Sequence, residues 1–401
     1  MKRIFGYFFL LTLIVNLTSP QGSLASIPVQ FYLKDQLHLS PEQQARYQLI
    51  ISIPLYLSFI FGLLRDRFAA LGVRDKTYFL LIPPVTALIY LVLSQFHRDV
   101  WQIGAGMMFA TLVYRVLAPA VAALQASVGN SLRVTSRLSA VVKLTGYALG
   151  AALAWSGVYL KSHVSHTAIY LMLAVSALCL LFFGLKEPSF VAKGEATSLE
   201  RHSRDFVADL RRLFGHATIW PAVVIYLLWE FAPTSGTPLL NHLTNTVGLN
   251  DAQYADYRFI QTLSFLPGAL TYGLLAKHVQ PRKLLFWSMV IGVPQMVPYI
   301  FIHSAGTAYA AGVWYGMVGG MASAAVLDLL LRSCPAGFEG FTVELGVTGF
   351  YVADRIADYF GSIVYEHGGF VATNLFGTAV YALIIPLLAW VPNSVLERRE
   401  A

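Results

Sequence analysis

The sequence PVQFYLKDQLHLSPEQ at residues 28–43 is nearly repeated as PLLNHLTNTVGLNDAQ at residues 238–253. Both copies begin with Pro, carry Leu at the sixth position and end in Gln. Tyr47 and Tyr257 follow in step, so the offset is a constant 210 residues, just over half of the 401. Two similar halves in tandem, set among long apolar runs, are typical of large secondary transporters. The repeat therefore predicts a duplicated membrane protein.

The composition supports a membrane location. The chain is 56% hydrophobic and 12% charged, whereas a soluble domain carries about 25% charged residues. An apolar run of about 20 residues crosses the hydrocarbon core as a helix. Twelve such runs lie at about 4–33, 45–64, 77–96, 100–124, 138–160, 166–185, 217–240, 257–276, 284–303, 305–331, 341–365 and 370–391. We expect an all-α membrane protein of twelve transmembrane helices in two pseudo-symmetric six-helix halves.

The distribution of charge orients the chain. With the N-terminus inside and the sides alternating, 20 of the 28 Lys and Arg residues fall on the inner side and five on the outer side. This bias predicts a multi-pass inner-membrane protein with both termini cytoplasmic, and it explains the net charge of +7 without a nucleic-acid partner. Cys179 and Cys334 show no pairing or ligand spacing, so we expect neither a disulfide nor a metal. No cofactor is predicted, and the protein is expected to be a monomer in lipid.

The longest polar stretch, 186–216, divides the chain into an N-terminal half at 1–185 and a C-terminal half at 217–401. Its motif Thr197-Ser-Leu-Glu200 reads as a capping box ahead of an amphipathic helix. Such a helix lies on the inner leaflet, and we interpret it as a tether between the halves. The N-terminal segment looks like a secretory signal, but we expect it to be retained, because the repeat requires the first span.

Helix breakers occupy matching places in the two halves. Pro20 and Gly22 lie in the first span, and Pro233, Gly236 and Pro238 lie in the seventh. Broken helices at corresponding positions are the best sequence indication of a transporter binding site. A plain kink is the alternative. In the fifth span, Gly146 and Gly150 form a GxxxG motif, which predicts close helix packing.

The segment Gly62-Leu-Leu-Arg-Asp66-Arg67 follows the second span. It resembles the G-x-x-x-D-R signature of the major facilitator superfamily, in which the loop carboxylate is thought to latch the two halves. Asp66 is then expected to face the N-terminus of a helix from the other half, with Arg67 joining the pairing. The second copy, Gly273-Leu-Leu-Ala-Lys277, has lost its acid.

Within that superfamily the chain is most similar to the folate/biopterin transporter family. The similar segments are Gln21-Gly22, FYLKDQLHLSPEQ at 31–43 and Ala232-Pro233-Thr-Ser. The resemblance implies transport of a folate or pterin and adds Gln21 to the candidate site. The family usually has a Trp and a Lys-Pro pair before its Gly-Leu-Leu motif, where this chain has Leu55-Tyr-Leu-Ser58. Muropeptide permeases share part of the first-half pattern.

Ionisable residues inside spans are costly and usually face a cavity or a partner. Glu230 lies beside the seventh-span break and is the first candidate for substrate contact or proton coupling, and Asp354 is the second. Arg115 is a candidate for an anionic substrate, and Lys143 with Glu344 for a charge pair at an inner gate. The remaining interior charges are expected to pair locally, namely Asp328 with Arg332 and Arg355 with Asp358.

These residues predict a secondary transporter that moves a small organic solute by alternating access. The substrate is open between a folate or pterin and a muropeptide, sugar or drug. From other classes, a non-transporting receptor on the same fold remains an alternative. A membrane enzyme is disfavoured, because the short loops hold no HxxxxD or HExxH motif.

Overall fold

The structure, a computed structural model, describes residues 2–20, 24, 47, 50–95, 100–192, 215, 218–335 and 338–396. Throughout these residues every regular element is helical. The first elements are α1 (Lys2–Thr18), α2 (Ile53–Tyr56), α3 (Ser58–Ala70), α4 (Asp75–Leu93), α5 (Val100–Ser131), α6 (Thr135–His163), α7 (His166–Cys179) and α8 (Leu181–Leu185). They are followed by α9 (Ile219–Glu230), α10 (Thr237–Asn241), a π-helical turn (His242–Thr246), α11 (Asp251–Leu263), α12 (Phe265–Leu275), α13 (Pro281–Gly292), a 3₁₀ segment (Val293–Phe301), α14 (Ala305–Arg332), α15 (Glu339–Ala382), α16 (Ile384–Leu387), a 3₁₀ turn (Leu388–Trp390) and α17 (Asn393–Leu396).

Six helical runs in the described part of the chain are long and apolar enough to cross a membrane. They are Asp75–Leu93, Trp101–Ser131, Thr167–Leu185, Pro281–Phe301, Ala305–Arg332 and Glu339–Trp390. The last run is interrupted at Gly369, whose φ of 73° no α-helix contains. Leu81 and Val175 are each 62% exposed, as side chains that face lipid would be. The all-α membrane class is confirmed, and the count of twelve spans stays a prediction.

One compact unit comprises Met1–Val128, Ala152–Phe206 and Ala336–Glu344. In it, two buried tyrosines hold the end of α1. The Tyr90 hydroxyl donates to the Thr18 carbonyl at 2.7 Å, and the Tyr114 hydroxyl donates to the Val15 carbonyl at 2.8 Å. These carbonyls belong to the last turn of the helix, where intrahelical donors run out. The helix ends just before Pro20, at the place where the sequence predicts a break.

The second compact unit comprises Gly129–Ala151, Val207–Pro335 and Leu345–Ala401. Its closest helix packing joins α12 to α14 through glycines. A Cβ atom on Gly268 would lie 1.9 Å from the Met317 carbonyl oxygen, so no larger residue fits there. The close approach expected at Gly146 and Gly150 is not found: a Cβ on Gly146 would meet no described atom within 4 Å. The surroundings of Gly146 are therefore open among the described residues, whereas a Cβ on Gly150, one turn further on, would make an ordinary contact with the Thr262 side chain at 3.7 Å.

The seventh predicted span is broken as the sequence indicates. Helix α9 ends at Glu230 and α10 begins at Thr237. The backbone amide of Thr237 donates to one carboxylate oxygen of Asp358 at 2.6 Å, and its hydroxyl donates to the other oxygen at 2.9 Å. Asp358 therefore caps α10 from a neighbouring helix. The expected pairing of Asp358 with Arg355 is wrong, because the amide at the break is the partner that Asp358 binds.

Candidate functional site

The interior charges of the described residues fall into two groups, those held in direct pairs and those without an ion-pair partner. The first paired cluster belongs to the gating motif. Asp66 accepts a hydrogen bond from Arg65 at 2.9 Å, and Arg65 Nε donates to Asp75 at 2.7 Å. All three side chains are at most 3% exposed. Arg65 and Asp75 were not predicted as site residues, although the acid Asp75 at the start of the next helix is the signal in the sequence that indicates this pairing.

Asp66 also caps the start of α15. Its two carboxylate oxygens accept from the backbone amides of Gly340 at 3.1 Å and Phe341 at 2.7 Å. Amides in a first helical turn lack intrahelical partners and attract an anion. Asp66 lies beyond the predicted second span, and burial raises its pKa to about 7, against the opposing effect of Arg65. The expected contact of Asp66 with a helix start in the other half of the sequence is present, and its gating role stays a prediction.

A second buried pair joins Arg115 on α5 to Glu344 on α15. The guanidinium and carboxylate are 3.4 Å apart, and Ser58 also interacts with the carboxylate. Arg115 is 8% exposed, and its Nε has no hydrogen-bond partner among the residues that the structure describes. Glu344 is therefore matched with Arg115, whereas the sequence suggested Lys143 as its partner.

A third paired cluster surrounds Asp328 in the second unit. Its carboxylate accepts from Ser136 on α6 at 2.8 Å, from Tyr272 on α12 at 2.7 Å and from Arg332 at 2.9 Å. The local pairing of Asp328 with Arg332 is confirmed. The cluster is larger than expected, because it also binds the first turn of α6.

Lys143, Glu230 and Asp354 form the other group. No ion pair joins any of the three side chains to a residue in the described part of the chain, and the Tyr226 hydroxyl interacts with the Glu230 carboxylate. They are nevertheless close enough to act on one another, since Lys143 and Asp354 both perturb Glu230 electrostatically. All three side chains are half-buried, and Glu230 is enclosed mostly by other protein atoms. We call these three residues, with the tyrosines below, the Glu230 chamber.

Tyrosines line the Glu230 chamber. The ring of Tyr147 lies on α6, one turn after Lys143, and Tyr226 lies one turn before Glu230 on α9. Tyr315 on α14 interacts electrostatically with both Glu230 and Asp354. Aromatic faces next to opposite charges can hold a flat polar ring by stacking while the charges bind its edge.

Further aromatic residues pack beside Glu230 on α9. Trp229 is stacked on Tyr381 with 5.0 Å between ring centroids, and its indole N–H donates to Ser323 at 3.0 Å. Trp229 is 4% exposed. Its fixed ring holds the last turn of α9, so the Glu230 carboxylate stands on a rigid support beside the break.

The predicted site residues are therefore not all together. Lys143, Glu230 and Asp354 share the Glu230 chamber, whereas Arg115 and Glu344 form a separate pair in the other unit. Gly62 and Asp66 lie at the contact with α15, and Arg67 follows them half-buried on α3. Gln21, the first copy of the repeat and the linker helix lie outside the described residues.

Comparison with known proteins settles the family. Residues 21–398 match the BT1 family, and this match covers nearly the whole sequence. The chain belongs to the BT1 family. Curated relatives agree with this assignment: the chain is 24% identical over 392 residues to the folate-biopterin transporter of Synechocystis sp., covering 92% of this chain and 77% of that protein. It is also 20% identical over 379 residues to folate transporter 1 of Plasmodium falciparum, covering 90% and 73%.

Solved structures of similar fold are major facilitator transporters. The human organic anion transporter MFSD10 superposes with a TM-score of 0.68 at 16% identity, over 96% of this chain and 99% of that one. A bacterial homologue of the iron transporter ferroportin gives 0.70 at 15% identity, over 96% and 98%. The fucose:proton symporter FucP of E. coli gives 0.70 at 13% identity, over 97% and 98%.

The resemblance stated from the sequence is thus confirmed. This BT1-family protein is a secondary transporter of small solutes with the major facilitator fold. Its relatives are transporters and not enzymes, which removes the membrane-enzyme alternative.

Proposed function

We propose that this BT1 transporter carries a folate or pterin and binds it in the Glu230 chamber. The observation that carries the proposal is the contrast between the two groups of interior charges. Arg65, Arg115 and Asp328 have direct partners of opposite charge, so the fold accounts for them. Lys143 and Glu230 have no such partner among the described residues, and an interior charge without a counter-charge is expensive unless water, a proton or a ligand satisfies it.

The relatives supply the substrate class. Two curated relatives of the chain are named as folate or folate-biopterin transporters. A pterin ring is flat and carries both hydrogen-bond donors and acceptors on its edge. The chamber offers aromatic faces, one cation and two carboxylates, which complement such a ring.

The transporter is proposed to act as a monomer of twelve spans in the inner membrane, with both termini cytoplasmic. Its halves, 1–185 and 217–401, are joined by the linker 186–216. In this scheme they alternate around the site. The contacts of Asp66 and Arg115 with α15 link the two halves of the sequence, and they are proposed to form and break during each cycle.

Proton coupling is the second part of the proposal and rests on Glu230 and Asp354. Within the part of the chain that the structure describes, neither interior carboxylate has an ion-pair partner, so a proton is the simplest counter-charge. Asp354→Asn is expected to abolish uphill accumulation and to preserve exchange of internal for external substrate. Asp256→Asn, on the exposed side of α11, is the matched control. Uphill uptake that persists after the proton gradient is collapsed would refute the coupling.

The substrate is tested with purified full-length protein in proteoliposomes. Radiolabelled folic acid and pterin are expected to be taken up, and excess muropeptide, sugar or amino acid is expected not to compete. Glu230→Ala is expected to reduce uptake at least tenfold, since it removes a charged hydrogen-bond acceptor. Glu366→Ala is the control, because Glu366 is exposed on α15 just before the interruption at Gly369. Uptake of another class, with no response to folates or pterins, would overturn the substrate assignment.

A further inference from the structure

The Glu230 chamber has a polarity that a ligand has to match. It combines the Glu230 carboxylate, which is acceptor-only when ionised and already interacts with Tyr226, with the Lys143 ammonium, which is donor-only. The two interact electrostatically, but they are farther apart than the 4.0 Å of an ion pair. A ligand edge with donors beside an acceptor fits between them.

The edge of a pterin ring has this order. The 2-amino group and N3–H point in parallel, as the N–H groups of a guanidinium do, and a carboxylate binds such a pair with both oxygens. The neighbouring O4 is an acceptor. We propose that Glu230 binds the 2-amino and N3–H edge of the ring and that Lys143 binds O4. This assignment rests on the proposed function and adds the orientation of the substrate.

Glu230 suits this task better than Asp354. The Asp354 carboxylate is next to Arg355 and is also under the influence of Asp358 and Arg258. Glu230 has Lys143 as its only strong cationic neighbour among the described residues. Its support is also rigid, because the adjacent Trp229 is fixed by Tyr381 and Ser323. Asp354 is then left to carry the proton.

The structure supplies the ring faces as well. Tyr147 lies against Phe265 with 4.6 Å between centroids, and Phe265 in turn contacts Tyr315 edge-on at 5.8 Å. The surroundings of Gly146, one turn beyond Lys143 on α6, are open among the described residues, so a ring is not blocked there. The bicyclic ring is expected to stack on the aromatic group formed by Tyr147, Phe265 and Tyr315, with its 2-amino edge toward α9.

Lumazine separates this orientation from simple ring binding. It replaces the 2-amino donor of pterin by an oxygen, which places an acceptor against the carboxylate. The wild-type protein is expected to bind pterin about 100-fold or more tightly than lumazine, since a site built to accept a hydrogen bond strongly rejects the ligand lacking the donor. 3-Methylpterin, which lacks N3–H, is expected to be rejected as well.

Two substitutions test the two ends of the ring. Glu230→Gln presents one donor and one acceptor, so the preference for pterin over lumazine is expected to fall to about one. Lys143→Met removes the partner of O4, which both ligands carry, so both are expected to weaken about tenfold with the ratio unchanged. Glu366→Gln is the matched control and is expected to leave both affinities as in the wild type.

The measurement is calorimetric titration of the purified full-length protein with pterin, lumazine and 3-methylpterin. A strong wild-type preference for pterin that is lost in Glu230→Gln supports the orientation. Equal wild-type affinities for the three ligands would overturn it while leaving pterin transport intact. Binding of neither pterin nor folic acid would overturn the proposed function itself. If a variant does not fold, the three-ligand comparison on the wild type still decides between these results.

Discussion

The contact between α3 and the start of α15 leads to a quantitative prediction for Gly62→Ala. A Cβ atom on Gly62 would lie 2.6 Å from the carbonyl oxygen of Gly340 and 2.8 Å from the Cα of Phe341. These are backbone atoms that cannot rotate away. Since ordinary Cβ contacts begin near 3.4 Å, the two helices have to separate by about 0.8 Å. Such overpacking costs about 3 kcal/mol at the upper end of its range.

Part of this cost is offset. Alanine is favoured over glycine within a helix by about 1 kcal/mol, so the net loss is about 2 kcal/mol. That figure corresponds to a factor of about 30 in the equilibrium between the closed and open contact. The amides of Gly340 and Phe341 report this equilibrium, because in the first turn of α15 their hydrogen bonds go to Asp66. We expect both amides to exchange with deuterium about 30-fold faster in Gly62→Ala.

Hydrogen exchange of the peptide around residues 338–345, followed by mass spectrometry, measures the effect. Gly6→Ala is the matched control: Gly6 is exposed on α1, and an added Cβ there meets no described atom within 4 Å. It is expected to leave exchange at α15 unchanged. If Gly62→Ala also left the exchange of both amides unchanged, the close approach of α3 to α15 would be refuted.

Three further predictions concern stability in detergent. In the folded chain Asp66 keeps its proton up to its pKa of about 7, whereas in the unfolded chain it loses the proton near the ordinary value of 3.8. The free energy of unfolding should therefore fall as pH rises from about 4 to 7. Asp66→Asn should remove this part of the pH dependence of Tm, and an unaltered slope would contradict the assignment. Asp328→Ala removes the hydrogen-bond acceptor shared by side chains on α6, α12 and α14. It is expected to lower the free energy of unfolding by about 3–5 kcal/mol, seen as a large loss in Tm that Asp256→Ala, at an exposed residue, does not show. Trp229→Phe keeps a smaller aromatic ring but loses the indole hydrogen bond and part of the buried volume, so a loss of at least about 1 kcal/mol in the free energy of unfolding is expected. Trp390→Phe, at a ring 69% exposed, should be neutral, and equal melting of the two variants would argue against the bond.

Local patterns in the sequence predicted the features that depend on local physics. The apolar runs indicated the membrane helices, and Pro233 with Gly236 indicated the break between α9 and α10. The acidic position Asp66 was expected at a helix start, because the reason for its placement is the polarity of a helix terminus. The membrane helices and the break follow from residues within about one helix length of each other. The contact of Asp66, with amides 274 and 275 residues away, was expected from the resemblance to the major facilitator signature.

The partners of the interior charges were beyond the reach of the sequence. Arg115 and Glu344 are 229 residues apart, and Ser136 and Asp328 are 192 residues apart. Which side chains meet over such separations depends on the rotation of each helix about its axis, and several rotations agree with the same apolar pattern. The sequence therefore indicated Lys143, Glu230 and Glu344 alike as candidates. It did not show that Glu344 is paired with Arg115, whereas Lys143 and Glu230 lack an ion-pair partner among the described residues. That distinction came only from the packed structure.

The cap that Asp358 places on Thr237 has a mechanical consequence. The segment 231–236 is the natural pivot of the broken helix, but the arm beyond it is tied to α15 by two short hydrogen bonds. Bending at the pivot alone would strip the first amide of α10 of its acceptor, so α10 and the adjoining part of α15 should swing as a single lever. A fluorophore attached to either helix would then report the same displacement with the same time constant. Asp358→Ala, which removes the acceptor of both hydrogen bonds, would uncouple the two signals.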